Sequence, residues 1–286
     1  MLAAIAALGV ACMLYGIFVE RFRYRVLRHR LDILPTAPGR PLVVLHLSDL
    51  HFVRRDARKA AFLAGLPTPD VTIVTGDFLA ESDAIGTAVE AVRAVRGRLA
   101  SWFVLGSNDY FEPRPLNYFA YFRKHRKRRR ARRGRAPELI GALVADGWED
   151  LTNVRGDRTL DGVAVELLGL DDAHIKRHDL RVAPRSDPAR FGLAVMHSPD
   201  SAPEAAALGY DLIVAGHTHG GQVRIPGIGA LVTNCSMPPR LASGLARMGA
   251  AVLHTSRGLG TSKYAPFRFW CRPEATLLEL AARTTR

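Results

Sequence analysis

The stretch DLIVAGHTHGGQ, residues 211–222, decides how this chain folds. An apolar run ends at Gly216, and two imidazoles, His217 and His219, follow with one small residue between them. A core strand that simply turned would close on Gly, Asn, Asp or Pro, the residues that supply turn geometry. Two histidines at the mouth of a buried strand are either turn residues or a pair of donors aimed at one object. The other strand ends discriminate between these readings.

Working outward, runs of the same kind recur: LVVLHL (42–47), VTIVTG (71–76), WFVLG (102–106), VAVELLGL (163–170), FGLAVMH (191–197), AAVLHT (250–255) and ATLLEL (275–280). Helix-type stretches near 56–65 and 83–95 separate the earlier runs, and another lies at 200–209. Four to eight residues rich in Val, Ile and Leu, interleaved with helices, are the pattern of strands buried on both faces. The chain is therefore predicted to form one α/β domain, with two packed sheets and helices outside. No internal repeat is present.

Each run delivers polar residues of one chemical type. LVVLHL leads into SDLH, with Asp49 and His51; VTIVT leads into GD, with Asp77; WFVL leads into GSND, with Asn108 and Asp109; FGLAVM ends at His197. Ligands of α/β sheets bind outside the carboxyl ends of strands, so residues far apart in sequence can meet there. A lone Asp after a strand is usually a cap, but a matched set is not. Carboxylates and imidazoles without thiolates suit Mn, Fe, Zn or Co rather than a structural zinc. Asp49, His51, Asp77, Asn108, His197, His217 and His219 are too many for one open catalytic ion, whereas two divalent ions sharing a bridging carboxylate use them all. Such a pair, about 3.5–4 Å apart, clamps the attacking and leaving oxygens of a phosphate ester.

In SDLH, GD, GSND, MH and GHTHGGQ, taken in order over roughly residues 42–280, the chain resembles the calcineurin-like metallophosphoesterase superfamily. SDLH, GHTHGGQ and the terminal SRGLGTSKYAPFRFWCRPE resemble its membrane-associated branch of YkuE-like phosphoesterases and lipid-sugar pyrophosphatases. The resemblance implies a four-layer α/β/β/α sandwich, two mixed sheets flanked by helices. It also implies that Asp49, His51 and His219 hold one metal, that Asn108, His197 and His217 hold the other, that Asp77 bridges them, and that a hydroxide between the ions attacks phosphorus. One block departs from the family. Its usual form is Gly-Asn-His-Asp/Glu, and here it reads Gly106, Ser107, Asn108, Asp109. Without a gap, Ser107 takes the ligand place and Asn108 the histidine place; with a local shift, Asn108 stays the ligand and the histidine is missing. Either way there is no imidazole, and an amide cannot act as a general acid, a role worth roughly 10²–10⁴-fold in rate. Asn108 and Asp109 are the candidate catalytic residues of this block, and leaving groups that depart as stable anions should be favoured.

Bulk properties place the domain. Ten of the 40 basic residues fall in RKHRKRRRARRGR, 123–135, so the net charge of +13 belongs to a segment rather than to the fold. That run lies in an insertion at about 112–136; a solvated loop is its default reading, with anionic lipid headgroups the next and nucleic acid the weakest. The three cysteines are widely spaced with no C-x-x-C pair, which excludes a disulfide framework and fits a reducing compartment. His46, His174 and His254 have no motif partner and read as core or edge residues, and DDAH, 171–174, reads as a capped loop.

Residues 1–19 carry no charge and as a helix span roughly 28 Å, close to a bilayer's hydrocarbon thickness. Positive charge follows the apolar run in ERFRYRVLRHR, 20–30, rather than preceding it, so a single membrane anchor with a cytoplasmic domain is predicted over a cleaved signal peptide. Residues 20–41 then read as a basic juxtamembrane and proline-rich linker, and 42–286 as the phosphoesterase domain. The expected function is a membrane-anchored, two-metal hydrolase of a phosphodiester or diphosphate bond, lipid-linked substrates included. The alternative is a tethered anionic-lipid or nucleic-acid binding protein with a degenerate metal site.

Overall fold

The structure, a computed structural model, describes residues 2–113 and 132–283. The chain runs α1 (Leu2–Phe18), β1 (Arg25–Leu34), β2 (Leu42–Leu47), α2 (Ala57–Ala64), β3 (Val71–Thr75), α3 (Ile85–Arg93), β4 (Ala100–Val104), α4 (Ser107–Tyr110), α5 (Ala136–Ala145), β5 (Glu149–Asp150), β6 (Val154–Leu160) and β7 (Val163–Leu170). It continues with β8 (Phe191–Met196), α6 (Ala202–Ala207), β9 (Leu212–Ala215), β10 (Arg224–Ile225), β11 (Gly229–Ala230), β12 (Gly244–Met248), β13 (Ala251–Thr255) and β14 (Glu274–Ala282).

Two six-stranded sheets, ordered β1-β14-β2-β3-β4-β5 and β12-β13-β9-β8-β7-β6, pack face to face. β2 to β5 are parallel in the first, and β7, β8, β9 and β13 are parallel in the second. Every residue of β3, β8 and β9 is buried, as the unbroken apolar runs require. The middle layer interdigitates Val44, Ile73 and Trp102 with Val165, Leu193 and Val214. Leu63 of α2, Val92 of α3 and Leu139 of α5 cover the outer face of the first sheet, while Ala202 and Ala205 of α6 cover the second. The expected four layers are therefore present. Each parallel strand ends at the same rim, where its next residues are free to face a ligand.

The linker expectation is corrected. Residues 25–34 form β1, which pairs in parallel with β14 along its length, so the sheet begins well before residue 42. Charge hid this strand: Arg25, Arg28, Arg30 and Asp32 break the apolar run, as suits an edge strand that must not pair with another chain. Arg25 bonds Glu274 across the ladder at 2.7 Å. Helix α1 is docked as well as exposed. Gly16 is its one buried residue, and a Cβ there would lie 2.6 Å from the Arg268 carbonyl oxygen. The rest of α1 presents Leu2, Ile5, Leu8, Met13 and Phe18 to the outside. By length and composition this helix can cross a membrane. Most of the basic insertion lies outside the described residues; its ends are joined by the Phe111–Arg133 bridge.

Candidate metal centre

Four donors form one half of the site. Ligand atoms of Asp49, His51, Asp77 and His219 all lie within 4.8 Å of one another. His51 Nε2 stands 3.2 Å from His219 Nε2 and 3.5 Å from Asp77 Oδ2, and His219 Nε2 stands 3.4 Å from Asp49 Oδ1. The other oxygen of Asp49 accepts from the Ser48 hydroxyl and the His217 amide, which leaves Oδ1 buried without a hydrogen-bond partner.

The second half lies across Asp77. His197 Nε2 is 3.7 Å from Asp77 Oδ1, so each carboxylate oxygen faces a different histidine set. His197 Nδ1 bonds the Thr75 carbonyl at 2.7 Å, and His217 Nε2 bonds the Asn234 carbonyl at 3.1 Å. A carbonyl only accepts, so both rings spend a proton on the backbone and turn lone pairs toward each other: His217 Nδ1 and His197 Nε2 are 3.2 Å apart. That arrangement needs a cation or a shared proton between the rings. Together with the orphaned Asp49 oxygen and an all-N/O donor set, it fits divalent metals.

Backbone strain is concentrated here. Asp49, His51, Asp77, His217 and His219 all have positive φ, between 44° and 67°. A left-handed non-glycine residue costs roughly 1–2 kcal/mol, although Asp and His tolerate it better than most. The tight turns aim consecutive side chains of one loop, such as His217 and His219, into the same cleft. Small residues let the loops close: a Cβ on Gly106 would sit 2.3 Å from Asp77 Oδ1, and one on Gly216 would overlap Ser48.

Electrostatics keep most donors in the ligating form. Burial, opposed by Asp77, takes His51 down to about 3; burial and His197 take His217 down to about 3; and burial lowers His219. His197 is the exception: burial opposes its charge, but Asp77, Asp172 and Asp49 push it up to about 9. Asp77, despite burial, is held below the usual carboxylate range by His197, His51 and Asn108.

The Asn108 side chain reaches the Asp77 carboxylate, with its amide nitrogen 2.5 Å from Oδ2 and its backbone N–H 2.8 Å from Oδ1. A half-turn of the amide would present its oxygen instead. Asp109 is differently employed. Its two oxygens accept the backbone N–H groups of Gly106 and Leu79, and burial with the nearby Asp77 charge pushes it up to about 8. It ties the Gly106–Asn108 turn to the β3 loop and is a positioning group in this geometry rather than one facing the reacting atoms.

The sequence reading missed two features. The DDAH loop is capped, with Asp172 accepting from the His174 amide, yet it also brings the His174 ring to 4.5 Å from that of His217. Its place at the end of β7 was the available signal. Arg268 is fully buried, donates to the Gly260, Arg257 and Cys271 carbonyls, and sets a guanidinium nitrogen 3.4 Å from His219 Nδ1. Its charge disfavours protonation of His219. It lies in the terminal block SRGLGTSKYAPFRFWCRPE that carries the branch resemblance, but nothing within the block singled out this arginine. His46 and His254 are core residues, joined across the sheets at 2.8 Å.

Comparison with known proteins agrees with this geometry. The model of the calcineurin-like phosphoesterase family matches residues 42–221. The uncharacterized metallophosphoesterase YkuE of Bacillus subtilis is 25% identical, with 82% of this chain and 76% of YkuE aligned. Phosphodiesterase YaeI of Escherichia coli is 29% identical over 93% of this chain and 92% of YaeI. The UDP-2,3-diacylglucosamine pyrophosphatase LpxG of Chlamydia muridarum is 25% identical, with 83% of each chain aligned. A chain whose strand ends carry this donor set, in a fold of two packed sheets, belongs to the calcineurin-like phosphoesterase family, the metal-dependent hydrolases of phosphoesters.

Proposed function

We propose that the chain is a membrane-anchored hydrolase of a phosphodiester or diphosphate bond in an amphiphilic substrate, using two divalent ions of the Mn, Fe, Zn or Co class. The observation that carries the reading is Asp77, whose two oxygens face His51 on one side and His197 on the other. Asp49, His51 and His219 would hold one ion and His197, His217 and Asn108 the other, with Asp77 available to both. Bound there, such a pair would polarise the phosphoryl oxygens and acidify a water to serve as nucleophile. The chain's own contribution is position and dryness: the left-handed turns fix the donors, Asp109 fixes Asn108, and burial keeps His51, His217 and His219 neutral.

The Gly106–Asp109 block offers no imidazole to protonate a leaving group, which favours departure as a stable anion, a phosphate or a phenolate. The lipid preference is supported by α1 beside the catalytic domain and by the similarity to LpxG, a UDP-2,3-diacylglucosamine pyrophosphatase. Arg21, Arg23 and Arg25 follow the helix directly and favour a cytoplasmic domain. The test is turnover of an aryl phosphodiester by the full chain in detergent with Mn²⁺. Wild type should turn over and Asp77→Asn should not. Equal rates in the two would reject the reading, and so would a flat dependence of rate on leaving-group pKa for the missing-acid argument.

A further inference from the structure

A cavity of about 760 Å³ lies outside the metal cleft, at the point where α1 meets the domain. Its lining includes six arginines, Arg23, Arg25, Arg224, Arg240, Arg257 and Arg272, and one acid, Glu20. Neighbouring Glu274 engages Arg25 at 2.7 Å and Arg257 at 3.6 Å, which leaves a clear excess of positive charge. Burial and the nearby Arg257 charge lower the Arg224 guanidinium. Nε atoms of Arg25 and Arg257 are buried without a hydrogen-bond acceptor. Holding this many cations together is unfavourable unless an anion joins them.

Two further observations say which anion. The rim is apolar and open: Ile228 is 71% exposed and Trp270 60%. Tyr15 of α1 also lines the cavity, together with Glu20 just past the helix. If α1 spans the bilayer, the cavity mouth sits at headgroup depth, where Trp and Tyr concentrate. Arginine forks match phosphate oxygens, and the volume is that of a small-molecule site. From this we propose that the cavity binds the phosphate headgroup of an anionic phospholipid held in the membrane. The inference rests on the membrane reading above for the placement of α1. It is separate from the metal cleft, although the two share a wall: Arg224 donates to the Gly220 carbonyl at 2.9 Å, next to His219.

The test uses the metal-free full chain in neutral detergent, titrated with dihexanoyl phosphatidylglycerol, with the phosphatidylcholine analogue and with inorganic phosphate. Trp270 is the reporter, because Trp102 and Trp148 are buried. Phosphatidylglycerol should shift its emission with saturation. Arg240→Glu should weaken that binding by at least about fivefold, and Arg224→Gln with Arg240→Gln by about 25-fold, at roughly 1 kcal/mol per arginine. Arg240 is exposed, so its variant is expected to fold even if the double variant does not. Equal binding of phosphatidylcholine, unchanged binding in Arg240→Glu, or inorganic phosphate binding as tightly as the lipid would each overturn the assignment. Membrane anchoring is measured separately, by alkaline extraction of the full chain, and hydrolysis is not read at all. Failure here is therefore distinguishable from failure of the proposed function.

Discussion

The metal centre and the arginine-lined cavity are neighbours built by opposite means. The candidate metal donors stand at the ends of largely buried strands, five of the seven on left-handed backbone, packed so closely that a Cβ on Gly106 would meet Asp77. The cavity draws its cations from the edge strand β1, the short strand β10 and loops spread between Arg23 and Arg272, two of them, Arg23 and Arg240, exposed. One is preorganised for a compact charge at fixed distances; the other tolerates a ligand of looser shape. If the contrast holds, changes in the first should cost catalysis and spare lipid binding, and changes in the second should alter lipid binding first.

The largest effect should come from Asp77→Ala, which removes the carboxylate that faces both His51 and His197. Diester turnover should fall by more than the 10–100-fold typical of an outer-shell partner, and metal analysis should show loss of bound ions. Phosphatidylglycerol titration in the cavity should be unchanged. Loss of both properties would mean that the regions are not separable. Asp109→Asn is next. It keeps size but weakens the hold on Gly106 and Leu79, and as a positioning change it should lower turnover about 10–100-fold, chiefly in kcat, with KM for the diester little altered.

The two regions should also differ in pH dependence. His197 is pushed up to about 9 by Asp77, Asp172 and Asp49 against the effect of burial, so in the metal-free chain it carries a proton below that pH. Metal taken up through this ring would have to displace the proton. Affinity should therefore fall as pH drops below about 9, by up to roughly tenfold per unit for one proton released. Calorimetric titration in buffers of different ionisation enthalpy would count the released proton. Arginine does not titrate over this range, so headgroup binding should vary little between about pH 6 and 9. A matching pH profile in the two regions would erase the distinction.

The same contrast explains what could be read from the sequence. The candidate metal donors follow apolar runs directly, because a ligand at the sheet rim must come from the residues just past a strand. Hence SDLH, GD and GHTHGG mark Asp49, His51, Asp77, His217 and His219 without a structure. Strand β1 was hidden because an edge strand needs only one buried face, and RVLRHRLDIL looks like a basic linker. Arg268 and the six cavity arginines were hidden for another reason. Their partners include backbone carbonyls, the Tyr15 hydroxyl and the Glu274 carboxylate, distant in sequence and brought together by tertiary packing, which leaves no periodic trace. Between Ser107 and Asn108, the side-chain contact to Asp77 belongs to Asn108, and no feature of the block GSND announces that contact.

Gly220 is where the two regions meet, and changing it gives the smallest but most discriminating effect. Its φ is +63°, and a Cβ would lie 2.7 Å from Arg257 Cγ and 3.0 Å from Cys271 Sγ. Gly220→Ala should destabilise the chain by about 1–2 kcal/mol from the left-handed backbone, a fall of roughly 2–4 °C in Tm for each kcal/mol in a domain of this size. Arg257 lines the cavity and His219 precedes Gly220, so the strain has two routes of relief. If the arginine yields, phosphatidylglycerol binding weakens while metal affinity holds; if the loop yields, metal affinity falls first. The donors are held by buried strands and several hydrogen bonds, and Arg257 by a salt bridge at 3.6 Å, so the flexible side chain should give way. Calorimetric titration of the variant with Mn²⁺ and with the lipid would show which wall is the stiffer, and a larger loss of metal than of lipid would reverse the order of rigidity argued for the two regions.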